Sequence, residues 1–249
     1  MHHFFTDQIS DEGIRIGDQD AKHIQQVLRL SAGDMIEVSC GERVYSCEIT
    51  GFENDEVVTV IRDISDAASE LPVRMTLYQG LPKKDKLELI IQKTVELGVS
   101  RIVPVMMHRS VVQLTNDKAK KRTDRYQSIA EAAAKQSKRG VIPDVIEPLS
   151  MGNAVEHAKK ECDVILLPYE NAKGMDHSRR VVDLIRKGVN EGTVHSLGIF
   201  IGPEGGFEPS EVELLRQAGA EIISLGNRIL RTETAAITML SVLGFMLDG

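Results

Sequence analysis

From residue 73 onward the chain alternates between two rhythms. Short apolar runs at 74–79, 101–106, 141–146, 163–168, 196–201 and 221–225 predict strands. Between them, apolar positions recur at helical spacing over 84–97, 118–138, 151–161, 176–188 and 209–218, and a last helix is predicted over 233–247. Gly98 falls just past one of these helices and Pro209 in the first turn of another, as helix ends require. Strands alternating with helices predict an α/β domain with a mainly parallel sheet.

The first seventy residues follow a different pattern. Met35-Ile-Glu-Val-Ser39 and Val44-Tyr-Ser-Cys-Glu-Ile49 alternate apolar with polar, with Gly41-Glu42 as the turn between them. Glu56-Val-Val-Thr-Val-Ile61 predicts a third strand after an Asn54-Asp55 turn. Ahead of these, residues 21–30 place Ile24, Val27 and Leu28 at helical spacing, and Gly33 closes that unit. One short helix among short strands predicts a small β-barrel. Residues 64–70, ending before Pro72, read as the linker, giving domains at 1–70 and 73–249.

Composition narrows the class. The 249-residue chain is long enough for a sizeable core. No apolar run approaches the roughly 18 to 20 residues of a membrane span, and Met1-His-His-Phe-Phe-Thr-Asp7 lacks the basic start and apolar stretch of a secretory signal. Cys40, Cys47 and Cys162 have neither disulfide-framework nor metal spacing, so a cytoplasmic location without a bound metal is expected. The net charge of −7 conceals a split: residues 1–70 carry 5 Lys and Arg against 15 Asp and Glu, whereas residues 74–139 carry 15 against 6. This reversal fits an anion-binding surface, and equally a basic face that pairs with the acidic part of the protein.

Candidate chemistry gathers in three loops that follow predicted strands. They are Leu166-Leu-Pro-Tyr-Glu170, Gly202-Pro-Glu-Gly-Gly206 and Gly226-Asn-Arg-Ile-Leu-Arg231. Ligands of open α/β sheets bind at the carboxyl ends of strands. Glycine there admits a close backbone approach, and proline stiffens the turn. No Lys-Ser/Thr follows the glycines and no G-x-G-x-x-G is present, which excludes a P-loop and a standard dinucleotide fold.

Ile201-Gly-Pro-Glu-Gly-Gly-Phe207, followed by Leu225-Gly-Asn-Arg-Ile-Leu-Arg-Thr-Glu-Thr-Ala235, closely resembles the RsmE family of 16S rRNA uridine-N3 methyltransferases, members of the SPOUT class. The resemblance extends through His23 to Leu30 with Gly33-Asp34, Lys83-Lys-Asp-Lys86, Lys93 to Gly98 and Gln136-Ser-Lys-Arg139. It implies an N-terminal PUA-like barrel for RNA recognition and a C-terminal α/β domain tied in a trefoil knot. It implies S-adenosylmethionine, held bent and largely by main chain, around Leu167, Pro168, Gly202, Pro203, Gly205, Gly206, Leu225, Gly226, Ile229, Leu230, Thr234 and Ala235. The reaction implied is methylation of a uridine at N3, the family's uridine 1498 of 16S rRNA, within the small ribosomal subunit, by a homodimer.

N3 of uracil must lose a proton to become a nucleophile, so the site needs a base and a cation to hold the ring's negative charge. Arg231 is the candidate cation and Arg228 a second, while Glu204 and Glu233 are carboxylates fit either to act as base or to fix loop geometry. Lys83, Lys84, Lys86, Arg109, Arg125, Lys138 and Arg139, with the lysine-rich stretch from Lys118, are the candidate phosphate contacts. A SPOUT enzyme for another RNA or base position, or a non-catalytic ribosome-assembly factor, would share the fold. The chain also departs from the family. His3-Phe4-Phe5 stands where an Arg commonly precedes the aromatic pair, and Glu208 stands where a serine commonly caps the next helix. By ordinary cap values that last change predicts a loss of about 1 kcal/mol of helix stability.

Overall fold

The computed structural model describes residues 1–6, 8–10, 13–41, 43–110, 116–172 and 174–248. The chain divides into two compact units, residues 1–70 with 134–142, and residues 71–133 with 143–249.

The first unit is built on a six-stranded sheet. Its elements are β1 (His2–Phe5), β2 (Ile9–Ser10), β3 (Gly13–Ile16), helix α1 (Asp18–Lys22) running into a π-helical turn (His23–Val27), β4 (Met35–Cys40), β5 (Arg43–Glu53) and β6 (Glu56–Asp66). The strand order is β1-β4-β5-β6-β3-β2. Only the β1–β4 pair is parallel; the other pairs are antiparallel. Inward residues of the strands make the core, with Phe4, Ile14, Ile36, Val38, Ile49 and Val57 all buried, and Ile24 of the π-helical turn joins them.

Two expectations shift here. The predicted linker starts too early, because residues 64–66 belong to β6, where Ile64 and Asp66 pair with Tyr45 and Arg43. A bulge between Ser46 and Cys47 lets the antiparallel ladder run on past the apolar stretch. The helix expected over 21–30 begins earlier, at Asp18, and widens to the π turn, with the Leu28 amide donating to the His23 carbonyl at 2.9 Å. Glu42, half of the expected turn, lies outside the described residues.

Residues 134–142 hold to this unit through charge. Lys135 Nζ meets Asp20 at 2.9 Å, Lys138 Nζ meets Glu37 at 2.9 Å, and Arg139 Nη2 meets Glu70 at 2.6 Å. The Gly140 amide also donates to Glu70, at 2.9 Å.

The second unit is the α/β domain. Its elements are β7 (Arg74–Gly80), α2 (Lys86–Glu96), β8 (Arg101–Met106), α3 (Asn116–Ser137, whose closing turn counts with the first unit), β9 (Asp144–Val145), β10 (Leu149–Ser150), α4 (Met151–Glu161) and β11 (Val164–Pro168). They continue with α5 (Met175–Asn190), β12 (Ser196–Ile201), α6 (Pro209–Gln217), β13 (Glu221–Ile223) and α7 (Thr232–Leu247). The strand order is β10-β8-β7-β12-β11-β13, with β9 also beside β8. Every pair is parallel, so the carboxyl ends of β11, β12 and β13 open on one side of the sheet.

Strand β12 is buried at every residue, as a continuous apolar run in a central parallel strand should be. Its Phe200 stacks on Tyr78 of β7 with ring centroids 4.4 Å apart. Strand β13 ends at Ile223 rather than at residue 225, because the Ser224 amide turns to the Ser178 hydroxyl at 2.8 Å. Helix α7 buries Ala236, Met239, Leu240, Leu243 and Leu247 along one face and leaves Val242 and Phe245 exposed on the other. Among the described residues no helix is long and apolar enough to cross a membrane.

Candidate functional site

Three loops wall a cavity of about 410 Å³ in the second unit, a volume suited to a cofactor-sized ligand. They are the segment after β11 (Pro168 to Glu170), the glycine turn after β12 (Gly202 to Phe207), and the run from Ser224 to Arg231 that opens into α7. The parallel pairing of β11, β12 and β13 places all three at the carboxyl end of the sheet.

Local chemistry fixes each loop. In the glycine turn the Gly206 amide donates to the Pro203 carbonyl at 2.9 Å, and Gly206 takes φ +68°, a left-handed conformation that favours glycine. Phe207 is buried under the turn and meets the Tyr169 ring edge-on, centroids 6.5 Å apart. The Tyr169 amide reaches back to the Ile223 carbonyl at 2.9 Å, which ties the first loop to the third. On the floor, a side chain at Gly80 would meet Pro203 Cδ at 2.6 Å and Pro203 N at 2.7 Å. Only glycine there lets the turn sit down on the end of β7.

The cavity rim carries charge. Lys86 Nζ lies 3.2 Å from Glu204 and 3.3 Å from Glu233. Glu204 also accepts from the Lys83 amide, at 3.1 and 3.2 Å to its two oxygens. Burial pushes the Glu204 carboxyl up, but hydrogen bonds from its own amide, the Lys83 amide and Lys86 outweigh it, so the net shift is downward. A carboxylate held ionised by three donors is a poor proton acceptor, and its geometry makes it a clamp between the β7–α2 loop and the glycine turn. Arg228 and Arg231 line the cavity, Arg231 as the N-cap of α7, whose backbone carbonyl accepts from the Ala235 amide at 2.8 Å.

Most residues expected at the cofactor do line this space: Pro168, Gly202, Pro203, Gly205, Gly206, Leu225, Gly226, Ile229, Leu230 and Ala235. Leu167 does not; it is fully buried in the core beneath. Thr234 does not either, being exposed on the side of α7 away from Thr232, the threonine that lines the cavity. Two residues along a helix is about 200° around it, whereas Ala235, three along from Thr232, shares its face. Of the candidate catalytic residues Arg231, Arg228 and Glu204 line the cavity, and Glu233 stands behind Lys86. Tyr169, Glu170, Phe207, Ser224 and Thr232 also line it, although the expected set omits them. Their signal was adjacency to the glycine and proline positions in the same loops.

The expected phosphate contacts divide. Lys83 and Lys84 are exposed, and Lys86 belongs to the cavity rim. Arg125 meets Glu88 at 2.8 Å. Arg109 meets Glu208 at 2.6 Å and donates to the Gly205 carbonyl at 2.9 Å, bracing the glycine turn. Arg139 is a correction: it is 3% exposed and bound to Glu70, so it staples the first unit rather than facing RNA. Lys138 likewise spends its charge on Glu37. The Lys118 side chain lies outside the described residues.

The weak cap expected at Glu208 is a second correction. Glu208 and Glu211 form a reciprocal capping box at the start of α6, with the Glu208 amide donating to Glu211 at 2.8 Å. Glu211 is buried and its other oxygen accepts from the His108 amide at 2.8 Å. His3, at the family's usual arginine position, is buried as well. Its Nε2 lies 3.0 Å from the Ser39 hydroxyl, and burial lowers its pKa despite Glu37 nearby.

The arrangement suits S-adenosylmethionine. Main-chain groups and small residues wall a slot with Leu225, Ile229 and Leu230 beside it, and Ile229 is 83% exposed. Among the described residues no group of three or more His, Cys, Asp and Glu is placed to hold a metal.

Comparison with known proteins gives the same class. Residues 69–244 match the family described as an RNA methyltransferase domain, and residues 16–61 match the RNA methyltransferase PUA domain. The chain is 34% identical over 238 residues to ribosomal RNA small subunit methyltransferase E of Bacillus subtilis (strain 168), covering 94% of this chain and 90% of that one. It superimposes with TM-score 0.83 and 26% identity on ribosomal RNA small subunit methyltransferase E of Neisseria gonorrhoeae bound to S-adenosyl methionine, over 99% of this chain and 98% of that one. A putative methyltransferase of Legionella pneumophila, in complex with the bound cofactor SAM, gives TM-score 0.80 and 28% identity over 97% and 96%.

Proposed function

This chain belongs to the RNA methyltransferase family, among the small subunit methyltransferases E, and from that premise we infer its reaction and the roles of its residues. It is an S-adenosylmethionine-dependent rRNA methyltransferase. The observation that carries this reading is the cavity at the ends of β11, β12 and β13, floored by main chain and rimmed by Arg228 and Arg231. Its target is N3 of a uridine in 16S rRNA, the family's uridine 1498, in the small ribosomal subunit.

When bound, S-adenosylmethionine supplies an electrophilic methyl group. Pro168, Gly202, Gly205, Gly206, Leu225 and Gly226 would hold it by backbone, with Ile229 and Leu230 against the adenine. Arg231 stands at the N-terminus of α7 and stabilises the negative charge that spreads over uracil O2 and O4 as the N3 proton passes to water. Arg228 adds a second positive charge on the same loop. Glu204, closed off by Lys83 and Lys86, keeps the glycine turn in place. Reaching N3 requires the uridine to be splayed from its stack, which costs a few kcal/mol and favours RNA already shaped by the assembled subunit.

The sheet of the first unit serves RNA recognition, in keeping with its PUA match at residues 16–61. The C-terminal loops form the family's knot. The enzyme works in the cytoplasm as a homodimer, a reading supported by Phe245, 86% exposed, and Val242, 40% exposed, on the outer face of α7. The deciding experiment transfers labelled methyl to small subunits that lack the modification and locates it by primer extension. A single stop one nucleotide before the uridine is expected, because a 3-methyl group blocks the pairing edge. Incorporation elsewhere would move the target, and cofactor binding without incorporation into subunits or free rRNA would favour a non-catalytic assembly factor.

A further inference from the structure

At the carboxyl end of β7, Gln79 is completely buried. Its amide nitrogen donates to the Gly80 carbonyl at 2.9 Å and to the Thr232 hydroxyl at 2.9 Å. Thr232 passes its own proton on to the Gly202 carbonyl, at 2.6 Å. The order of donors is fixed. Turning the Gln79 amide over would set its oxygen against the Gly80 oxygen and leave Thr232 without a donor.

Two details raise this relay above ordinary packing. The peptide between Gly202 and Pro203 has no N–H, so its carbonyl oxygen is the only hydrogen-bond handle by which that plane can be held. Thr232 holds it. In addition, Gln79 Oε1 is buried with no hydrogen-bond partner. An apolar side chain of similar size would remove that unmet oxygen but would also take the donor from the Gly80 carbonyl, so glutamine here adds little net stability.

We propose that Gln79 is a positioning residue for the cofactor, acting through Thr232 to set the Gly202–Pro203 peptide and thereby the spacing between the glycine turn and the start of α7. Gly202, Pro203 and Thr232 all line the cavity, and Gly80 lets Pro203 rest directly on the strand that carries Gln79. The inference rests on the cavity being the cofactor site.

The test compares wild type, Gln79→Leu, Thr232→Val and Thr232→Ser by calorimetric titration with S-adenosylmethionine, thermal melting and steady-state kinetics. Loss of one relay hydrogen bond is expected to weaken cofactor binding about tenfold and raise its KM about as much. In Gln79→Leu, which changes no residue of the cavity wall, kcat at saturating cofactor should stay within about threefold of wild type. Gln79→Leu should melt within about 4 °C of wild type, since one unmet polar atom is exchanged for another, and Thr232→Ser should bind like wild type because it keeps the hydroxyl. A folded Gln79→Leu or Thr232→Val protein that binds the cofactor normally overturns the proposal. If Gln79→Leu does not fold, the Val and Ser pair at Thr232 decides alone. Failure of the wild type itself to bind S-adenosylmethionine would instead remove the cofactor assignment, and the proposal with it.

Discussion

In the first unit, Lys135, Lys138 and Arg139 each meet an acid of the β-rich part, while in the second unit the cavity is drawn from main chain, small residues and the ends of buried strands. Both arrangements order a loop, by opposite means. The ion pairs depend on protonation and salt, and their value scales with burial. The cavity depends on how closely backbones approach, and neither salt nor acid alters that directly. One chain thus separates a charge-held scaffold from a shape-held site.

The sharpest way to break the shape-held side is at its reacting edge. Arg231→Ala should leave the fold intact and reduce kcat by about 10²–10³-fold, the range for removing one stabiliser of transition-state charge. Near-normal turnover in the methyl-transfer assay would take Arg231 out of the mechanism. Gly80→Ala tests shape alone, since the added carbon must displace Pro203 backbone. Turnover is expected to fall about 10²-fold, as it does for misplacements near 1 Å, with cofactor binding lost in the same titration.

On the charge-held side, Arg139→Ala removes the partner of Glu70. Arg139 is almost fully buried, but the Glu70 side chain is 25% exposed, so a loss of about 2–3 kcal/mol in urea unfolding is expected rather than the full value of an enclosed pair. Lys138→Ala should cost under about 1 kcal/mol, because that side chain is half exposed. An equal effect from the two would show that burial does not rank these pairs.

Acid should separate the two sides further. Burial pushes the Glu70 and Glu37 carboxyls up, but Arg139 and Lys138 outweigh it and both titrate below the ordinary 4.5. The unfolded chain therefore takes up these protons at higher pH than the folded one. Their contribution is complete above about 4.5 and is lost as pH falls through the depressed values. Amide-exchange protection across residues 1–70, corrected for intrinsic rates, should decline in that window before protection in β12 does. Simultaneous loss would argue against a separate charge-held unit.

The sequence made the α/β unit readable because its central strands are mostly apolar and its helices amphipathic, with glycine and proline marking the boundaries between them. It also disclosed the three loops, since glycine and proline mark where backbone must turn or approach. Less was legible where the outcome depends on a distant partner. Arg139 looks like any basic residue until Glu70 is beside it, and β10, only Leu149 and Ser150, exists because β8 offers it an edge. Glu208 read as a poor cap by residue type alone, although Glu211 three positions on was the visible half of the box. Thr234 came with the motif, and which threonine turns inward depends on the helix start at Thr232, because one residue on a helix turns a side chain by about 100°.

The membership of residues 134–142 in the first unit carries a consequence for synthesis. The acidic first seventy residues emerge from the ribosome well before the three cations that neutralise Asp20, Glu37 and Glu70. The unit's full set of contacts is therefore complete only once the chain has grown past Ile142, by which time β7 and β8 of the second unit are already out. The two units are braided in time, and a fragment cut at residue 70 would carry the sheet without its counterions.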